Sequence, residues 1–217
     1  MAAEISTWRE ILAQLGENVV LVAVSKTKPA VDILALYSEG QRDFGENYVQ
    51  ELVDKQAQLP GDIRWHFIGH LQSNKVKYII PFVHLIHGVD SLRLLKEIAR
   101  QATKAGRVVD VLLQVHIARE ETKFGLDAGE LGQLMMSVQQ APGEWSAIRI
   151  RGLMGMASNV PDAGTASSEF RQLRTLFEKW FPAGGILSMV MSGDYQLAVS
   201  EGSTMVRIGS LLFGKRG

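Results

Sequence analysis

Short runs of apolar and β-branched residues recur along the chain. Each is followed by a turn and then by apolar positions at helical spacing. The runs cover 19–24, 42–44, 64–68, 84–89, 108–117, 148–154, 186–191 and 205–208. Their mean separation is roughly 27 residues, about the length of one strand–helix unit. They do not alternate cleanly between apolar and polar, which suits strands buried on both faces, as in a parallel sheet. Between them, Leu95, Ile98, Ala99 and Ala102 make a helical stripe that Asp90 can cap and Gly106 can stop. Phe170, Leu173, Phe177 and Trp180 make another, closed by Pro182 and the Gly184–Gly185 pair. Ile5, Trp8, Leu12 and Leu15 share one face of a helix ahead of the first strand. Alternating strand and helix predicts an α/β fold. Eight such units in 217 residues predict a single (β/α)8 barrel domain over 1–217 with an extra amino-terminal helix. If the short second run is not a strand, the alternative is an open doubly wound sheet.

Composition narrows the chemistry. Lys plus Arg number 23 and Asp plus Glu number 23, so no global field steers the chain to nucleic acid or to an anionic membrane. There is no cysteine, which excludes disulfides, thiolate metal sites and cysteine nucleophiles. No apolar run approaches the roughly 20 residues that span a bilayer. The segment 1–16 lacks a basic stretch followed by an apolar one, so no export signal is visible and the expected location is cytoplasmic.

In a barrel, ligands bind at the carboxyl ends of the strands. Small residues fall there after the seventh run, Ser192-Gly193-Asp194, and after the eighth, Gly209-Ser210. Their N–H groups and hydroxyls can hold a phosphate, or they are simply turn residues. Lys26 ends a run in which Val20, Val22 and Val24 share its parity. If that side faces the barrel axis, the ammonium sits at the mouth of the core, where a partly desolvated amine can attack an aldehyde; otherwise Lys26 is a solvated loop lysine. Arg207, inside the eighth run, needs either a structural ion pair or a ligand. His66, inside the third, reads as a hydrogen-bonded core residue or as a ligand contact. The five histidines form no HExxH motif, and neither a GxSxG elbow nor a phosphate-binding GxxxxGK[ST] loop is present. No metal site is expected.

Six blocks carry a family resemblance. AVSKTKP at 23–29, DFGENYVQE at 43–51, WHFIGHLQSNK at 65–75, RGLMGM at 151–156, LSMVMSGD at 187–194 and STMVRIGSLLFG at 203–214 keep both order and spacing. In these the chain resembles the YggS/PROSC family of pyridoxal phosphate homeostasis proteins. The resemblance implies a barrel like the amino-terminal domain of alanine racemase. It implies pyridoxal 5′-phosphate held covalently on Lys26, with Ser192, Gly193, Gly209 and Ser210 on the phosphate. Arg207 would face the pyridine nitrogen, Asn47 and Met154 would line the pocket, and His66 would sit near it. It further implies storage, delivery or control of the cofactor by a monomer without dedicated catalysis, with PLP-dependent apoenzymes or a regulatory protein as partners. The alternative is an amino-acid racemase. Such enzymes resemble two-domain dimers, and a second domain after the eighth strand is not expected here. One departure stands out: Val190 occupies a position where the family usually has glycine, just before the expected phosphate loop.

Overall fold

The computed structural model describes residues 3–120, 124–158, 162–189 and 195–214. Eight parallel strands close on themselves in sequence order: β1 (Val20–Val24), β2 (Asp43–Glu46), β3 (Arg64–Phe67), β4 (Leu85–Val89), β5 (Val109–Val115), β6 (Ile148–Gly155), β7 (Ile186–Met189) and β8 (Met205–Ile208). The short second run is therefore a strand, paired to β1 and β3, and the closed barrel is the outcome. Closure is made by β1 and β8, with Val20 to Ala23 in register with Met205 to Ile208. Around the barrel lie α1 (Ile5–Leu15), α2 (Ala30–Ser38), α3 (Val49–Gln58), α4 (Val76–Ile79), α5 (Leu92–Lys104), α6 (Ala128–Gln140), α7 (Ala163–Trp180), α8 (Tyr195–Ser200) and α9 (Ser210–Phe213).

The period-two alternation of each strand divides its side chains between two cores. One lies between sheet and helices and holds Leu21, Ala23, Phe44, Trp65, Phe67, Ile86, Leu187, Val206 and Ile208. The other fills the lumen with Val22, Leu85, Leu112, Met154 and Met205. Both faces of the strands are covered, which is why the sequence shows apolar runs rather than alternation. Polar side chains at lumen parity are consequently conspicuous: Asp43, His66, His87, Ser188 and Arg207 are all buried.

Helix ends follow local chemistry. The cap of α5 is Ser91, whose hydroxyl accepts from the Leu94 N–H. Asp90, the capping residue expected from sequence, instead accepts from His70 Nδ1 at 3.1 Å. Gly106 stops that helix with φ +62°, as its freedom from a Cβ permits. At β6, Gly152 has φ +156°, and a Cβ there would collide with the Ile186 carbonyl. The strand is irregular beside it, between Val111 and Leu112 of β5. No described helix is long and apolar enough to cross a membrane.

Candidate functional site

Lys26 lies two residues past the end of β1, and its parity is that of lumen-facing Val22. The intervening Ser25 turns the other way: its Oγ donates to Glu46 Oε1 at 2.6 Å, outside the barrel wall. A buried polar clamp fixes this loop. Lys55 Nζ, on α3, donates to Ser25 O, Glu46 Oε1 and Glu51 Oε1, each at 2.7 Å. The Glu51 carboxylate also accepts from the Thr27 N–H at 2.6 Å. That bond holds Thr27 at φ +62°, the left-handed region, which is costly for a β-branched residue. Burial raises the Glu46 carboxyl pKa, and the Lys55 charge and the Ser25 hydrogen bond only partly offset this.

Lys28 has a different task. Its ammonium donates to the Phe213 carbonyl at 2.6 Å, capping the carboxyl end of α9. The two lysines of AVSKTKP therefore separate: Lys28 is tied to the last described helix, and Lys26 keeps the parity of Val22.

Arg207 enters the lumen from β8, in register with Val22 of β1. It is 5% exposed, and its Nε has no hydrogen-bond partner. Among the described residues it makes no ion pair, and burial alone lowers its pKa to about 10. The choice left open by the sequence falls against a structural ion pair. Met154 belongs to the lumen core with Val22 and Met205. Asn47, at the top of β2, has a buried Oδ1 without a partner. Gly209 follows β8, and a Cβ there would meet Val24 at 3.3 Å, so glycine lets the ends of β8 and β1 approach closely. Ser210 opens α9 and is exposed. Ser192, Gly193 and the departing Val190 lie outside the described residues.

His66 sits deeper than a pocket-wall residue. It is fully buried, with Nε2 2.9 Å from Asp43 Oδ1 and Nδ1 2.9 Å from His87 Nε2. Burial pushes the Asp43 carboxyl up. The Arg64 fork and the His66 hydrogen bond pull it further down, well below the usual carboxylate range. Asp43, His66 and His84 bring potential metal-ligand atoms within 4.8 Å of one another. Arg64 already holds both Asp43 oxygens, so this cluster works as an ion-pair network. Sequence reasoning missed the Lys55 clamp, Asp43 and His87. Only the Glu51–Lys55 spacing of four along α3 offered a signal.

A buried arginine without a counter-ion and an unpartnered amide oxygen at the mouth both ask for a polar ligand. The alanine racemase N-terminal domain model matches residues 2–217. A pyridoxal phosphate homeostasis protein of Aquifex aeolicus is 40% identical over 207 residues, covering 93% of this chain and 89% of that protein. One from Vibrio alginolyticus is 39% identical over 208 residues, covering 92% and 88%. The structure of PipY from Synechococcus elongatus without PLP superposes with a TM-score of 0.90 at 38% identity, covering 96% of this chain and 99% of that one. PipY with PLP bound gives 0.85 at 37% identity, with the same coverage. Alanine racemase of Streptomyces coelicolor shares the fold at 18% identity and TM-score 0.76, and the match takes in 59% of that enzyme. With full-length matches of this kind, the chain belongs to the alanine racemase N-terminal-domain family, in its group of pyridoxal phosphate homeostasis proteins.

Proposed function

We propose that this protein binds pyridoxal 5′-phosphate on Lys26 and serves to store, deliver or control it. The observation that carries the reading is the lumen itself. The lysine two residues past β1 has lumen parity, Arg207 enters the same lumen from β8, and neither a carboxylate nor any other charged partner neutralises Arg207 among the described residues. The unpartnered Arg207 Nε and Asn47 Oδ1 fit a ligand that offers both an acceptor and a donor. The PLP-bound structure of PipY supports the choice of cofactor. When bound, the cofactor supplies a reactive aldehyde and an electron-withdrawing ring.

The residues divide the remaining work. Lys26 supplies the amine to which the aldehyde attaches. The Lys55–Glu46–Glu51 clamp keeps that amine at the mouth. Gly209 and Ser210, with Ser192 and Gly193, donate to the phosphate. Arg207 donates only and cannot lose its proton at ordinary pH, so it disfavours a proton on the ring nitrogen and weakens the ring as an electron sink. The chain thus retains the cofactor without equipping it for transamination or decarboxylation. Receivers are PLP-dependent apoenzymes, and the working unit is a monomer.

Borohydride reduction of the cofactor-loaded protein, followed by peptide mapping, tests this directly. The pyridoxyl group is expected on Lys26. A tag on Lys28, or on no lysine, overturns the site. Sustained racemisation of L-alanine at ordinary enzyme rates would replace the carrier reading with a racemase.

A further inference from the structure

Three polar atoms are buried in the barrel lumen without partners: His87 Nδ1 on β4, Ser188 Oγ on β7 and Arg207 Nε on β8. β4 and β8 are four strands apart in a ring of eight, so the His87 and Arg207 side chains project into one space from opposite walls. Arg207 is a donor only. His87 and Ser188 can accept. His87 is also the end of the chain Asp43–His66–His87, both of whose links are 2.9 Å long.

The direction of that chain is fixed from its anionic end. Asp43 is held by the Arg64 fork and, as a carboxylate, only accepts. His66 must therefore carry hydrogen on Nε2. Where His66 carries that single ring hydrogen, its Nδ1 accepts, His87 donates through Nε2, and His87 keeps a bare lone pair on Nδ1. Burial, with the Arg207 charge acting in the same direction, pushes His87 well below the ordinary histidine pKa, so His87 stays neutral.

Resting on the cofactor-binding reading above, we propose that Asp43, His66 and His87 are positioning residues. They hold the His87 Nδ1 lone pair as an uncharged acceptor for the Arg207 guanidinium, through a water shared with Ser188. The point is the absence of charge. A carboxylate at this place would orient Arg207 equally well but cancel its field. An imidazole backed by a distant carboxylate orients it and leaves the field at the ring nitrogen intact. Such a water would have three polar partners, the number that buried waters typically hold. His66 then acts through His87 rather than on the cofactor.

The test begins without cofactor. Long-range ¹⁵N–¹H correlation spectra of ¹⁵N-histidine-labelled protein at neutral pH, assigned with His87→Gln, should show His66 and His87 both protonated on Nε2 and bare on Nδ1. A His87 protonated on Nδ1, or an imidazolium, overturns the proposal whether or not the cofactor reading holds. In Asp43→Asn the anionic anchor is gone, and the bare Nδ1 signal of His87 should be lost or split between tautomers. An unchanged tautomer there means that the chain does not set it. Cofactor-loaded protein supplies the last arm. His87→Leu should shift the visible absorption band and its pH midpoint, and His87→Asn, which restores a neutral acceptor, should bring both back toward wild type. A band and midpoint indifferent to His87→Leu would show that Arg207 does not depend on it. Failure of the wild-type protein to bind the cofactor at all would sink the cofactor reading while leaving the tautomer result standing.

Discussion

Replacing Lys55 by methionine tests whether the clamp under the Lys26 loop is built as described. Lys55 Nζ makes three hydrogen bonds from a nearly buried position, and Glu46, one of its partners, is 0% exposed. Methionine fills the stem volume but leaves the Glu46 carboxylate buried with only the Ser25 hydroxyl. Breaking a buried pair in this way costs about 3–5 kcal/mol. For a domain of this size that corresponds to a loss of roughly 6–20 °C in Tm. The loss should depend on pH. The folded pKa of Glu46 already lies above its ordinary value, and removing Lys55 raises it further. A raised carboxyl favours the fold while protonated, and that contribution disappears as pH rises through the folded value. Lys55→Met should therefore be far less damaging near pH 5 than near pH 8. Adding Glu46→Gln, which removes the buried charge, should recover most of the loss at pH 8. Urea unfolding at both pH values, with the double-mutant cycle, reads this out. A pH-independent deficit, or a double variant worse than Lys55→Met alone, would refute the buried-charge argument.

Four other expectations follow from the same geometry. Thr27→Gly should stabilise the apo protein by about 1 kcal/mol in urea melts, because glycine relieves the left-handed strain at φ +62°. Arg207→Met should leave apo stability unchanged or higher, since a buried cation without a protein partner is removed. A drop of more than about 2 kcal/mol would mean that Arg207 has a structural partner. Arg207→Glu should increase side reactions of the loaded protein with amino acids, followed by the appearance of pyridoxamine phosphate. Gly69→Ala should weaken cofactor binding and lower Tm, because the new methyl collides with the Asn47 carbonyl and displaces the top of β2.

The barrel was legible because most strand positions are apolar on the lumen face as well as on the wall face. Val22 and Ala23 illustrate it: neighbours in sequence, they belong to separate cores, and the run carrying them reads as one apolar block. Parity with Val22 singled out Lys26 as a candidate, and the cost of a guanidinium in an apolar run singled out Arg207, which is indeed buried. The lumen network was not legible. Asp43, His66 and His87 come from three strands, and only the pairing of β2, β3 and β4 sets His66 2.9 Å from each of the other two. The clamp hid for the same reason, since Ser25, Glu46 and Lys55 meet across β1, β2 and α3. Asp90 misled because its neighbour Ser91 also caps well, and His70 claims the carboxylate.

The bond from Lys28 to the Phe213 carbonyl spans 185 positions of chain. It bears on the order in which a newly made polypeptide becomes competent. The loop bearing Lys26 emerges from the ribosome early, but one of its two anchors is the turn of helix that follows the final strand. Until that strand zips against the first, Lys28 has nothing to grip and the amine beside it has no defined direction. Vitamin capture should therefore be among the last properties that the nascent protein acquires, arriving with ring closure and not with the lysine itself.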